Sequence, residues 1–323
     1  MSYDGFQIKV PELSTRLDPW STLVFQDVVY TKETVDSIKK DTEIKDVKES
    51  AETKTKLTRE EFYRLFVERT EAQCLSEAGA PQRSKQWHDA RRYCITASSF
   101  GAVVGHNPYC SKEQALIEKL WASFQGSEYT AYGTFHEPDA AKSLLKALES
   151  TQWLKDFEAS TYTFFETGLL KSYKQPWMAV SPDGFLYLKG SKGSKLVLVE
   201  FKCPAGQRDS ELHPYRKSPK NVPVYYMDQI QGIMGLLNKY PELIDNELEK
   251  HIKDFDKVLI LDCLFVVWQP HQMHVTRIPF DKKYYDGYLE PELKSWHEKF
   301  VSFATEKANG NLVKNTLESI LNL

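Results

Sequence analysis

In the run Leu196-Val197-Leu198-Val199-Glu200-Phe201-Lys202 the residue types alternate as they do in a strand, where successive side chains point to opposite faces. Glu200 and Lys202 therefore share one face, with Val199 and Phe201 on the other. A strand this apolar is a buried one, and burying a carboxylate and an ammonium beside Leu198 costs several kcal/mol unless something offsets it. A divalent cation with a further acid would do so. Asp183, at the tip of Ser181-Pro182-Asp183-Gly184, precedes Glu200 by 17 residues across an expected hairpin and is the candidate for that acid.

A hard ion such as Mg²⁺ takes oxygen ligands and keeps several waters, so two carboxylates, one backbone carbonyl and a substrate phosphate form a suitable set. Asp183, Glu200 and the carbonyl of Phe201 supply the protein's share. Lys202 then lies where its charge can lower the pKa of an attacking water or stabilise negative charge building on phosphorus. This is the chemistry of phosphodiester hydrolysis. Taken singly, a Pro-Asp-Gly is often only a reverse turn and a Glu-x-Lys pair only a solvated strand face, so the inference rests on their combination.

The elements that must position these residues can be read from periodicity. Phe62, Leu65, Phe66 and Ala72 form an apolar stripe on a helical region that opens near Thr58. Trp87 and Arg91 lie four apart on a second helix. Thr96 suits the N-cap of a third with Phe100, Val103 and Val104 buried, and Ser111 with Gln114 opens a fourth carrying Leu116, Leu120, Trp121 and Phe124. Residues 162–165, 177–180, 185–188 and 196–203 are expected to be consecutive strands of one sheet. A helix over about 224–237, strands over 259–268 and 273–276 and a closing helical region follow.

Composition bounds the rest. With 323 residues, 41% hydrophobic and 13% aromatic, the chain has enough apolar material for a large domain with an accessory segment. Residues 31–60 hold eight Lys/Arg and eight Asp/Glu without an aromatic, so residues 1–57 are expected to be an appendage and charged linker and 58–323 the main domain. The net charge of -3 gives no whole-molecule attraction for nucleic acid; any grip on phosphates must be local. The basic segment His213-Pro214-Tyr215-Arg216-Lys217-Ser218-Pro219-Lys220 is one candidate.

Five scattered cysteines without a CxxC pair disfavour a zinc site, an iron-sulfur cluster or a disulfide framework. His271 and His274 are three apart on an expected strand, so they face opposite ways and make a poor metal pair. The N-terminus lacks the pattern of a signal peptide, and the most apolar run, 258–268, is too short to span a bilayer and is interrupted by Asp262. The expectation is a soluble intracellular protein with no membrane partner; nothing separates nucleus from cytoplasm.

Four blocks in order resemble the PD-(D/E)xK nuclease superfamily, and within it the phage lambda exonuclease and YqaJ-type viral recombinase family. The resemblance covers about residues 66–300. Trp87-His88-Asp89-Ala90-Arg91-Arg92-Tyr93-Cys94-Ile95-Thr96-Ala97-Ser98 is similar to the family's Trp-x-x-x-Arg and Ile-Thr-Ala-Ser, where Arg91 and Ser98 would hold a terminal 5′ phosphate. Tyr132-Gly133-Thr134-Phe135-His136-Glu137 resembles a block whose Glu lies near the metals. Pro138 follows it directly, so a helix is expected to start or kink at Glu137.

The third block is Asp183 with Glu200-Phe201-Lys202. The fourth, Tyr225-Tyr226-Met227-Asp228-Gln229, is similar to a Tyr-x-x-Gln helix on which Tyr226 and Gln229 share a face, with Gln229 holding the attacking water or scissile phosphate. The resemblance implies a restriction-endonuclease-like α/β core with a mixed central sheet flanked by helices. It implies an Mg²⁺-dependent exodeoxyribonuclease, with Mn²⁺ as substitute, acting 5′→3′ on linear double-stranded DNA with a 5′-phosphate end, in recombination, repair or viral or mobile-element DNA processing. Phage members form homotrimers, and some work with a single-strand annealing protein. An endonuclease on DNA or RNA, or a nucleic-acid-binding protein without turnover, is left open by the residues.

Overall fold

The computed structural model describes residues 5–8, 56–78, 80, 82–121, 128–150, 154, 159–205, 222–270 and 272–321. Its strands in chain order are β1 (Gly5–Ile8), β2 (Ile95–Thr96), β3 (Ala159–Phe165), β4 (Met178–Ala179), β5 (Gly184–Gly190), β6 (Gly193–Lys202), β7 (Ile260–Gln269) and β8 (Gln272–Pro279). Six of them form one mixed sheet in the order β1-β8-β7-β6-β5-β3. All neighbours are antiparallel except β6 and β7, which run parallel. A parallel pair needs a crossover, and the helices Val224–Lys239 and Glu242–His251 lie between the two strands in the chain.

The alternation in β6 divides its side chains between two cores. Leu196 and Leu198 pack with Phe265 of β7 and with Ile230, Ile233 and Met234 of the Val224–Lys239 helix. Val197, Val199 and Phe201 pack on the other face with Ala140, Leu144 and Leu148 of the Glu128–Ser150 helix. Burying each Leu or Phe contributes roughly 1.5–3 kcal/mol, so helices cover both faces and the sheet is central. This is the α/β arrangement with a mixed sheet flanked by helices that the motifs imply.

The hairpin between β5 and β6 sets the approach of the acid. Gly184 pairs with Val199, which places Asp183, one residue before β5, abreast of Glu200. Glycine is required at 184, since a Cβ there would lie 2.5 Å from the Phe164 ring.

Several local expectations are corrected. Residues 177–180 do not join the main sheet: Met178–Ala179 pairs in parallel with Ile95–Thr96 in a separate two-stranded sheet, between Pro176 and Pro182, which cannot donate to a ladder. Thr96 does not cap an α-helix. It precedes a 3₁₀ turn, Ala97–Ser99, without a side-chain cap, and the α-helix Phe100–Val103 follows. Leu65 is exposed, and Ala72 lies on a different helix, Glu71–Ala78, from Phe62. Ser111 does accept from the Gln114 amide at 3.1 Å at the start of the Lys112–Trp121 helix.

The helix also does not start at Glu137. Glu128–Ser150 runs through Pro138, so the proline costs the hydrogen bond to the carbonyl of residue 134 while the buried stripe of Ala140, Leu144 and Leu148 holds the helix on the sheet. The basic segment 213–220, Phe124 and His271 lie outside the described residues, and His274 is buried in β8. Among the described residues no helix is long and apolar enough to cross a membrane.

Candidate active site

At the end of β6, Glu200 is 2% exposed, while Lys202, on the same face, retains a little solvent access. Lys202 Nζ donates to Glu200 Oε1 at 2.6 Å, and Gln229 Nε2 of the crossover helix donates to the same oxygen. Glu200 Oε2 is buried without a hydrogen-bond partner. Asp183 Oδ2 accepts from the backbone N–H of Phe201 at 2.7 Å, which ties the Pro-Asp-Gly turn to the strand. Tyr226 lies beside them, its ring centroid 5.0 Å from Lys202 Nζ. Thus Asp183, Glu200, Phe201, Lys202, Tyr226 and Gln229 come together.

Burial sets the electrostatics. Desolvation, followed by the neighbouring Asp183, pushes the Glu200 carboxyl up to about 8. Asp183 is likewise raised by burial, with Lys202 and the Phe201 amide acting in the opposite sense. Two acids crowded this way favour a counter-cation. Cys203 next to them is no nucleophile, because burial pushes its thiol up to about 12.

Glu137 reaches the same region from the other face. Its carboxyl is raised by burial and by Asp183, and Arg83 Nη2 holds it at 3.1 Å. Glu137, Asp183, Phe201, Arg83, Thr134 and Glu166 line a cleft of about 430 Å³. Among the described residues no three His, Cys, Asp or Glu side chains are gathered as a ready metal cluster. The fit to a hard cation therefore rests on two carboxylates, Asp183 and Glu200, and on the unpartnered Oε2 of Glu200.

Arg91 and Ser98 form a second group. Arg91 ends the Lys85–Ala90 helix, stacks over Trp87 with its guanidinium carbon 3.7 Å from the ring centroid, and donates to Thr96 Oγ1 at 3.1 Å. Burial lowers its pKa to about 10. Lys119 donates to the Arg91 carbonyl at 2.6 Å and Lys171 to the Ala90 carbonyl at 2.8 Å, so two ammonium groups cap this helix end. Burial brings Lys119 down to about 8. Ser98 is exposed in the adjoining 3₁₀ turn.

Two features escape a reading of the sequence. Arg83, in the left-handed region at φ 69°, lies 54 residues from the Glu137 it holds, and no local pattern marks it. Asp228, adjacent to Gln229 and fully buried, accepts from Tyr284 and pairs with His106 Nδ1 at 2.9 Å, while Tyr288 stacks on His106. A buried acid in a helix beside Gln229 is the one signal that could have pointed to this network.

Residues 86–237 match the family model described as the YqaJ-like viral recombinase domain. Protein D345L of African swine fever virus (isolate Tick/South Africa/Pretoriuskop Pr4/1996) is 31% identical over 175 residues, 50% of this chain and 48% of that protein. D345L of strain Badajoz 1971 Vero-adapted is 30% identical over 189 residues, covering 55% and 49%. The matched region thus spans about half the length of these curated relatives. Among solved structures, the alkaline exonuclease LHK-Exo of Laribacter hongkongensis is similar at 18% identity and a TM-score of 0.44, covering 71% of this chain and 100% of that one. The Shutoff and Exonuclease Protein of Kaposi's sarcoma-associated herpesvirus is similar at 9% identity and a TM-score of 0.34, covering 79% and 75%. The span that matches the YqaJ-like viral recombinase model holds Arg91, Ser98, Glu137, Asp183, Glu200, Lys202, Tyr226 and Gln229.

Proposed function

We propose that this chain is a metal-dependent exodeoxyribonuclease that hydrolyses linear double-stranded DNA from a 5′-phosphorylated end, in recombination or repair. The observation that carries the reading is Glu200: a buried carboxyl with Lys202 and Gln229 donating to one oxygen, no such donor at the other, and Asp183 against it. Asp183, Glu200 and the carbonyl of Phe201 would hold Mg²⁺, or Mn²⁺ in its place, with Glu137 at the cleft wall. Such an ion, when bound, offsets the carboxylate charge and polarises the phosphate oxygens.

The chain's own residues do the rest. Lys202 reaches from Glu200 to the partly open edge of the site, where an ammonium would stabilise negative charge building on phosphorus. Gln229 fixes the Glu200 carboxylate and orients a water through its amide. Arg91 presents a planar donor to a terminal phosphate, with Ser98 on an exposed turn next to it. Homotrimer formation and a single-strand annealing partner belong to the same reading, and sedimentation of the purified chain tests the first.

An endonuclease of the same superfamily is the nearest alternative, and a nucleic-acid-binding protein without turnover the next. The complete Asp183, Glu200 and Lys202 set weighs against the latter. The test is to incubate wild type and Asp183→Asn with linear and closed circular DNA, in Mg²⁺ or chelator. Loss of the linear duplex only with wild type in Mg²⁺ is expected. An uncut linear duplex overturns the enzymatic reading, and cleaved circles favour the endonuclease.

A further inference from the structure

Tyr109 is a large aromatic left 65% exposed on a loop that is otherwise pinned. The backbone N–H groups of His106 and Asn107 both donate to the Gly101 carbonyl, at 2.8 and 3.0 Å, and Asn107 Oδ1 accepts from the Tyr109 amide at 2.9 Å. His106 is anchored to the buried Asp228. A solvated tyrosine on a slack loop needs no explanation; one held out by this many bonds is preorganised for a contact.

The Tyr109 ring stands edge-on to Tyr225, 6.2 Å between centroids, and Tyr225 lies 4.4 Å from Tyr226, whose ring is under Lys202. Tyr225 is itself fixed against the helix that follows the Ser98 turn: a Cβ added to Gly101 would meet Tyr225 Cβ at 2.4 Å. Tyr225 therefore touches the Phe100–Val103 helix that follows the Ser98 turn on one side and Tyr226, beside Lys202, on the other. Every nucleobase has a π-face, and an aromatic ring beside a backbone-binding cation is the arrangement that holds unpaired bases.

We propose that Tyr109 and Tyr225 form a stacking platform for an unpaired nucleobase of the strand that enters the Glu200–Lys202 site. The inference rests on the nuclease reading for the identity of the ligand, and its test needs no turnover. The full chain in chelator is titrated into 5′-phosphorylated duplexes with a short 5′ overhang, carrying 2-aminopurine in turn at each overhang position. Wild type should quench the probe at one position; Tyr109→Ala should abolish that quench and weaken binding about tenfold, while Tyr109→Phe retains both. Replacing the same nucleotide by an abasic one should remove the difference between wild type and Tyr109→Ala. No quench with wild type, or an unchanged quench with Tyr109→Ala, overturns the platform. Cleavage of linear DNA in Mg²⁺ would stand in either case, so the two readings fail separately.

Discussion

Gln229 Nε2 and Lys202 Nζ converge on one oxygen of Glu200, leaving the other carboxylate oxygen buried and unpartnered. The crossover helix thus contributes directly to the strand's charge arrangement. Glu200→Gln should abolish cleavage while preserving the fold, because the amide keeps the shape and loses the charge.

The same residue fixes a pH dependence. Its folded pKa, about 8, lies above the ordinary carboxylate value, so between about 4.5 and 8 the unfolded chain is ionised while the folded one holds the proton. The contribution of Glu200 to the stability of the metal-free protein is therefore greatest below that window and falls as pH rises through it. Urea midpoints in chelator at pH 5 and pH 8 should show the fall, and Glu200→Gln should flatten it by on the order of a few kcal/mol. An equal slope in both proteins removes this account of Glu200.

His297 works on the acid side. Buried, with Nε2 donating to the Tyr93 carbonyl at 2.9 Å, it is lowered to about 4. The unfolded chain takes up this proton near pH 6.5 and the folded one does not, so the contribution is complete above 6.5 and declines as pH drops toward 4. Denaturation between pH 7 and pH 4 should be shallower for His297→Gln than for wild type.

Arg91 has partners, Trp87 and Thr96, that leave its charge available. Arg91→Ala should weaken activity on 5′-phosphorylated ends by roughly tenfold to a hundredfold. The same loss on 5′-hydroxyl ends would remove its role in holding a phosphate.

Gly101 controls the seat of the crossover helix. In Gly101→Ala the new methyl meets Tyr225 backbone as well as side chain, at 2.7 Å from Cα, so the helix must shift. A loss of about 1–3 kcal/mol is expected, with a fall in activity as Gln229 leaves Glu200. Thermal melts and initial rates on linear duplex check both.

What could be read in advance was what alternation controls. Glu200 and Lys202 share a face because a strand has period two, and Asp183 joins them because a hairpin returns the chain. The Glu137 helix defeated local rules, since burial of Ala140, Leu144 and Leu148 outweighs the hydrogen bond lost at Pro138. Residues 177–180 had strand composition, but two flanking prolines and a partner at Ile95–Thr96 decided their pairing. Arg83 and the Asp228 network depend on contacts across 54 and 122 residues, where no periodicity operates.

The parallel pairing of β6 with β7 has a consequence for synthesis. A ribosome that has made Lys202 has supplied two acids and an ammonium, but neither Gln229 nor the strand that flanks Glu200, whose register partner is Phe265. Loop closure over this crossover must precede the pairing of Glu200 with Phe265, so this part of the site is completed after the β5–β6 hairpin. A nascent chain halted before residue 260 therefore carries Asp183, Glu200 and Lys202 without the strand that flanks Glu200 in the finished sheet.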